Sequence, residues 1–171
     1  MNPEQAKGAL QFFLATMDNE FGITKKVIAA VPQDKCEWRP DRKAKTALEL
    51  AWHVPTAEIM FLDGIIAGAF TMPDSEPAPP GTIADVLAFY EKSHTDRVAK
   101  LKALSGEQLA KTVILVPGVL ELPAVMYLNL LILHTAHHRG QLSVYLRPMG
   151  SKVPSIYGGS ADEPFEMSAR A

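Results

Sequence analysis

The sequence predicts an all-α protein, a four-helix bundle closed by an irregular C-terminal tail. Four long segments place apolar residues at three- and four-residue steps, the period of a helix with one buried face. Connections rich in proline and charge separate those segments. No strict alternation of apolar and polar residues runs far enough to build a sheet. Helices of this kind bury their stripes against one another, and four of them make a bundle. The 171 residues suffice for a single domain, 1–171, with a substantial core.

The first helix is expected from about Pro3 to Val31. Ala6, Leu10, Phe13, Leu14, Met17, Phe21 and Ile28 form its stripe, and Pro3 suits the first turn, where no N–H is needed. "VPQDKCEWRPDRKA" then breaks the period and reads as a connection. The second helix starts at "TALE": Thr46 caps it while Glu49, three residues on, reaches back in a capping box. It continues to about Phe70, and Pro55 inside it should produce a kink. "TMPDSEPAPPG" reads as a loop or short linker. The third helix begins near Thr82, with Asp85 in its first turn and a stripe of Ile83, Leu87, Tyr90, His94, Val98 and Leu101. "VILVPGVLE" could pair with itself around Pro117-Gly118 but reads mainly as a connection. The fourth helix opens near Leu122, with Pro123 at its first position, and runs to about Arg147, where Pro148 and Gly150 close it. Residues 151–171 carry no period and read as a tail laid over the surface.

Composition narrows the function. Hydrophobic residues make up 47% and charged residues 21%, the balance of a globular protein. A net charge of -2 gives no basis for binding nucleic acid or an anionic membrane. No uninterrupted apolar run reaches the roughly 18 residues of a membrane span. Cys36 is the only cysteine, so no intrachain disulfide forms. "MNPEQAKGAL" lacks the basic and apolar regions of a signal peptide, and a cytoplasmic location is expected.

Chemistry is concentrated in "HTAHHRGQLSVYLRPMG", residues 134–150. Four residues of α-helix turn the chain by about 400°, so His134 and His138 lie about 40° apart on one face. Leu131, Leu142 and Tyr145 share that face, which therefore points inward. H-x-x-x-H is the spacing by which one helix offers two imidazoles to one metal ion. His137 is turned about 100° from His138 and falls outside the pair. A further ligand would come from His53, on the inner stripe of the second helix, or His94, on that of the third. The bland alternative is that each is a core imidazole satisfied by a hydrogen bond.

These residues resemble the DinB-like (YfiT-like) metalloenzyme family, whose closing helix carries H-x-x-x-H-R-G-Q followed by Y-L-R and a glycine. "WRPDRKAKTALELAWHV" and "VPSIYGGSADE" are similar to two further segments of that family. The resemblance implies up-down-down-up connectivity and one divalent metal, nickel or zinc, held by His53, His134 and His138. His94 has no counterpart in the motif and stays a candidate for the pocket wall. It also implies a small-molecule substrate, thiol-dependent transfer to an electrophile, and pairing into a homodimer.

Three neutral imidazoles leave a divalent ion with an open position, as in catalytic sites. Activation of a low-molecular-weight thiol and metal-dependent hydrolysis of a small ester or amide both fit, as does a metal-binding bundle without turnover. Glu49 and Gln141 are the candidate catalytic groups: Glu49 lies one turn before His53, although its capping role competes, and Gln141 can reach a ligand or a bound water. Tyr145 and Trp52 read as core, and Cys36 as packing. Arg139 and Arg147 are expected on the surface or against the tail, in ion pairs. A fold-back of Asp162 and Glu163 onto Arg147 is the less favoured reading of the tail.

Overall fold

The computed structural model describes residues 1–72 and 74–164. Four long helices are present: α1 (Pro3–Ala29), α2 (Ala47–Ala67), α3 (Ile83–Ala103) and α5 (Tyr127–Leu146). Between α3 and α5 lie a short helix, α4 (Gly106–Ala110), and a hairpin of β1 (Thr112–Val116) and β2 (Leu120–Pro123). The expected all-α, up-down-down-up four-helix bundle therefore does not describe the chain. β1 and β2 pair antiparallel, with Val113 opposite Leu122 and Ile114 opposite Glu121. Gly118, at φ +71°, turns the chain between them. The Tyr127 hydroxyl points its hydrogen between the carbonyls of Val113 and Leu120, both at 2.8 Å, and ties the hairpin to α5. The segment read mainly as a connection is thus a small sheet, and the last helix begins at Tyr127 rather than Leu122. A one-turn 3-10 segment, Ala124–Met126, precedes it.

The helix starts follow local chemistry. Asn2 and Gln5 close a capping box on α1, and Thr46 and Glu49 close one on α2. Thr82 caps α3 by accepting from the Asp85 amide. α2 runs through Pro55 without ending and stops at Gly68, whose φ of +67° is the left-handed cap. α2 passes a length-and-composition test for a membrane span, although Glu49, His53, Glu58 and Asp63 interrupt its apolar run. Most of it is buried inside the fold, packed against α3 and α5, so its apolar surface is spent on the core.

The core has two apolar clusters. One gathers Ile28, Trp52, Tyr90, Leu142 and Leu146 at one end of the long helices. The other gathers Leu10, Phe61, Leu101, Leu109, Val113 and Leu128 at the other end. Between them each long helix contributes its polar residues: Glu20 and Thr24 from α1, Glu58 from α2, Ser93 and His94 from α3, Thr135 and Arg139 from α5, all buried. A polar layer crosses the middle of the fold, and the histidines lie at that level. Burial there is tolerable only if each group finds a partner.

The tail, through residue 164, packs back on the helices. Asp162 accepts from Arg147 at 3.1 Å and from the Val153 amide at 2.9 Å. The less favoured fold-back of Asp162 is therefore the observed one. Glu163 instead accepts from the Ser155 amide. Residues 165–171 of the expected tail lie outside the described residues.

Candidate metal centre

α2 and α5 pack together and bring His53 onto the His134–His138 face. One ring nitrogen from each of the three histidines lies within 4.8 Å of the others. The ring centroids stand 4.3 Å apart for His134–His138, 4.4 Å for His53–His138 and 5.2 Å for His53–His134. All three are half-buried.

The hydrogen bonds around the rings fix which nitrogens are free. His138 Nδ1 lies 2.8 Å from Gln141 Oε1, and His53 Nδ1 lies 2.8 Å from Glu76 Oε1. Both partners are acceptors, so Nδ1 carries a hydrogen, and in the neutral ring the lone pair is on Nε2. His134 Nδ1 is buried with no partner among the described residues. Burial first, then the neighbouring His138 and His53, push the His134 pKa down to about 4. His138 is likewise lowered, by burial above all, with the Gln141 bond opposing. Three crowded imidazoles, two with Nδ1 bonded to an acceptor and Nε2 turned to the cluster and the third short of a partner, are a donor set that fits a divalent cation.

Glu76 was missed by sequence reasoning, because it stands in the proline-rich connection between α2 and α3. Burial alone would raise its pKa, but bonds from Lys45, Thr56 and His53 outweigh that and hold it below the usual carboxylate range. No local pattern marks it: its partners lie 31, 23 and 20 residues away in the chain.

Grooves flank the cluster on two sides. One of about 330 Å³ is lined by His53, His134, Thr56, Met60, Met72 and Glu76. It adjoins a larger one of about 520 Å³ that shares Thr56, Met60 and Pro77 and adds Ile59 and Phe89. On the other side, about 460 Å³ is lined by His138, Gln141, Lys45, Leu50 and Tyr145.

The remaining candidates separate. Glu49 is exposed and holds the Thr46 amide at 2.7 Å, its carboxylate lowered chiefly by that bond. His137 is exposed, beside His138 but outside the cluster. His94 does not line these grooves, which corrects its placement in the pocket wall. Its Nδ1 donates to Glu58 Oε1 at 2.7 Å, and its ring stacks on Phe21 at 3.9 Å between centroids. Glu58 also accepts from the Tyr90 hydroxyl at 3.1 Å. Arg139, expected on the surface or against the tail in an ion pair, makes both the ion pair and the tail contact but is only 1% exposed. It bonds Glu20, Thr24 at 3.2 Å and the Tyr157 hydroxyl at 2.5 Å. Trp52 is buried and donates to the Pro77 carbonyl, and Cys36 is buried in the core, which pushes its thiol pKa up.

Helices that converge three histidines between two grooves define a helical protein with a candidate metal centre. The chain belongs to the DinB family, whose model matches residues 7–166. It is 28% identical over 158 residues to the uncharacterized protein YrdA of Bacillus subtilis, covering 90% of this chain and 91% of that one. A DinB-like protein from Bacillus cereus superposes with a TM-score of 0.71 at 25% identity, covering 85% of this chain and 95% of that one. The DinB-like YjoA of Bacillus subtilis superposes with a TM-score of 0.68 at 24% identity, over 87% and 97% of the two chains.

Proposed function

We propose that this chain is a divalent-metal-dependent enzyme, loaded with nickel or zinc, that transfers a low-molecular-weight thiol to a small electrophile. The observation that carries the reading is the three-histidine cluster open to a groove on each side. Hydrolysis needs room for one substrate and a water; a transfer needs room for two organic molecules. His53 and His138 would hold the ion through Nε2, with His134 completing the set. A divalent ion bound there supplies the Lewis acidity that deprotonates a coordinated thiol near neutral pH.

The chain's own groups divide the remaining work. Lys45, Gln141 and Tyr145 set three polar groups into the otherwise apolar groove beside His138, where a thiol cosubstrate would lie. On the opposite side Ile59, Met60 and Phe89 offer apolar surface to the body of an electrophile, with Asp63 and Arg97 lining the same groove. Gln141 holds the His138 ring in one orientation while both molecules approach.

The test begins with elemental analysis of protein purified without chelator, beside His138→Ala. The expected result is near-stoichiometric metal in the native chain, lost in the variant while the helical signal persists. Metal-loaded protein is then assayed with bacillithiol, mycothiol, glutathione and cysteine against a chromogenic electrophile. Turnover that needs a thiol supports the reading, and turnover indifferent to every thiol refutes it.

A further inference from the structure

The Glu76 carboxylate is held by groups from two segments. Its Oε1 accepts from Thr56 Oγ1 at 2.7 Å and faces His53 Nδ1 at 2.8 Å, both on α2. Its Oε2 accepts from Lys45 Nζ at 2.7 Å, just before α2. The next residue is fastened as well, because Trp52 Nε1 donates to the Pro77 carbonyl at 2.8 Å. The α2–α3 connection is thus pinned to one stretch of α2, and that stretch carries His53.

A carboxylate facing Nδ1 requires a hydrogen on that nitrogen, so the neutral ring, the form that can bind an ion, carries its lone pair on Nε2. The same arrangement recurs at His138, where Gln141 Oε1 occupies Nδ1. A core imidazole merely satisfied by one bond would show no such convergence. Here two acceptors on different segments each occupy the Nδ1 of a histidine in the same cluster.

We propose that Glu76 is a positioning residue of the metal centre: it fixes His53 with hydrogen on Nδ1, presents Nε2 to the ion, and so couples metal affinity to docking of the α2–α3 connection. The affinity half deepens the metal-dependent reading and rests on it; the tautomer half stands in the metal-free protein. The coupling is reciprocal, since an ion bound more tightly to the docked arrangement favours docking by the same factor. Partners that orient metal-bound histidines are typically worth about 10- to 100-fold in affinity.

Three measurements on the full chain test this. Long-range proton–nitrogen NMR of the metal-free protein should show His53 protonated on Nδ1, shifting toward the Nε2–H form in Glu76→Ala. Calorimetric titration with zinc or nickel should show Glu76→Ala weaker by about 10- to 100-fold. Glu76→Gln keeps an acceptor oxygen but loses the charge, so it should retain the tautomer and weaken several-fold. Amide exchange at Asp74, Ser75, residue 76 and Ala78 should slow on adding metal to the wild type and not to Glu76→Ala. An unchanged His53 tautomer in Glu76→Ala, or zinc binding within twofold of wild type, overturns the proposal. If Glu76→Ala does not fold, Glu76→Gln carries the test, and equal affinity overturns it. A wild-type chain that binds neither ion removes the metal-dependent reading and the affinity half together, while the tautomer measurement still decides the other half.

Discussion

Arg139→Met isolates the most heavily buried charge in the polar layer. The guanidinium is 1% exposed and Glu20 is 7% exposed. In the native chain Glu20 accepts from Arg139 and from the Tyr157 hydroxyl at 2.9 Å. Methionine fills much of the arginine volume but leaves that carboxylate buried with only the tyrosine hydroxyl to face. Breaking a buried pair by removing one partner costs about 3–5 kcal/mol. For a chain of this length that corresponds to a fall in Tm of roughly 10 °C. Glu20→Met/Arg139→Met removes both charges and should regain most of the loss, because replacing both partners by apolar groups avoids the unpaired carboxylate. Urea unfolding of wild type, both single variants and the double variant gives the cycle, read as midpoints at constant m-value. The reasoning is refuted if Arg139→Met loses less than about 1 kcal/mol, or if the double variant is as unstable as the single one.

The metal-free protein should lose stability as pH falls from about 6.5 to 4. His134 has a folded pKa of about 4, so the unfolded chain takes up its proton first. The penalty is absent above pH 7 and complete below 4; the full shift corresponds to roughly 3 kcal/mol, which partial solvent contact reduces to about 1–2. Urea midpoints between pH 4 and 7 with chelator check it, and the slope should shrink in His134→Phe. His94→Phe should keep the stack on Phe21 yet strand Glu58 with Tyr90 alone, costing about 1–3 kcal/mol while leaving metal stoichiometry unchanged. Lost metal in that variant would place His94 in the centre after all. Gly64→Ala should destabilise by about 1–3 kcal/mol, because the new methyl would stand 2.2 Å from the Phe70 ring, which packs on Phe61 and Tyr127. A thermal melt unchanged from wild type would show that the ring moves freely.

What the sequence made legible was chemistry that is local along the chain. The caps at Thr46 and Thr82 act over three residues, and the His134–His138 pair over four, so each is visible without knowing the fold. His53 needed the family resemblance, since inward stripes offered His53 and His94 on equal terms. The hairpin was missed because two short runs of four and five residues carry too little alternation to outweigh helical neighbours. The burial of Arg139 was missed because charge normally marks the surface, and its partner Glu20 lies 119 residues away. Glu76 was invisible for the same reason: its role exists only once the α2–α3 connection lies on α2.

Residues 134–139 of α5 face two ways, and that joins the two halves of the polar layer. His134 and His138 turn toward α2 and the grooves, while Thr135 and Arg139, about 100° further round the helix, are buried on another side. Arg139 ties that side to Glu20 and Thr24 of α1 and, through Tyr157, to the tail. α5 is therefore held against α1 one residue away from each histidine it presents to α2. A histidine pair can bind an ion tightly only if the rings do not have to be gathered at the moment of binding. The buried arginine keeps the helix from rotating out of that position. Arg139→Met should therefore weaken zinc binding even under conditions where it is fully folded, and the Glu20→Met/Arg139→Met pair, though stable, should not restore it. Recovery of both stability and affinity in the double variant would mean that apolar packing alone suffices to hold α5 in register.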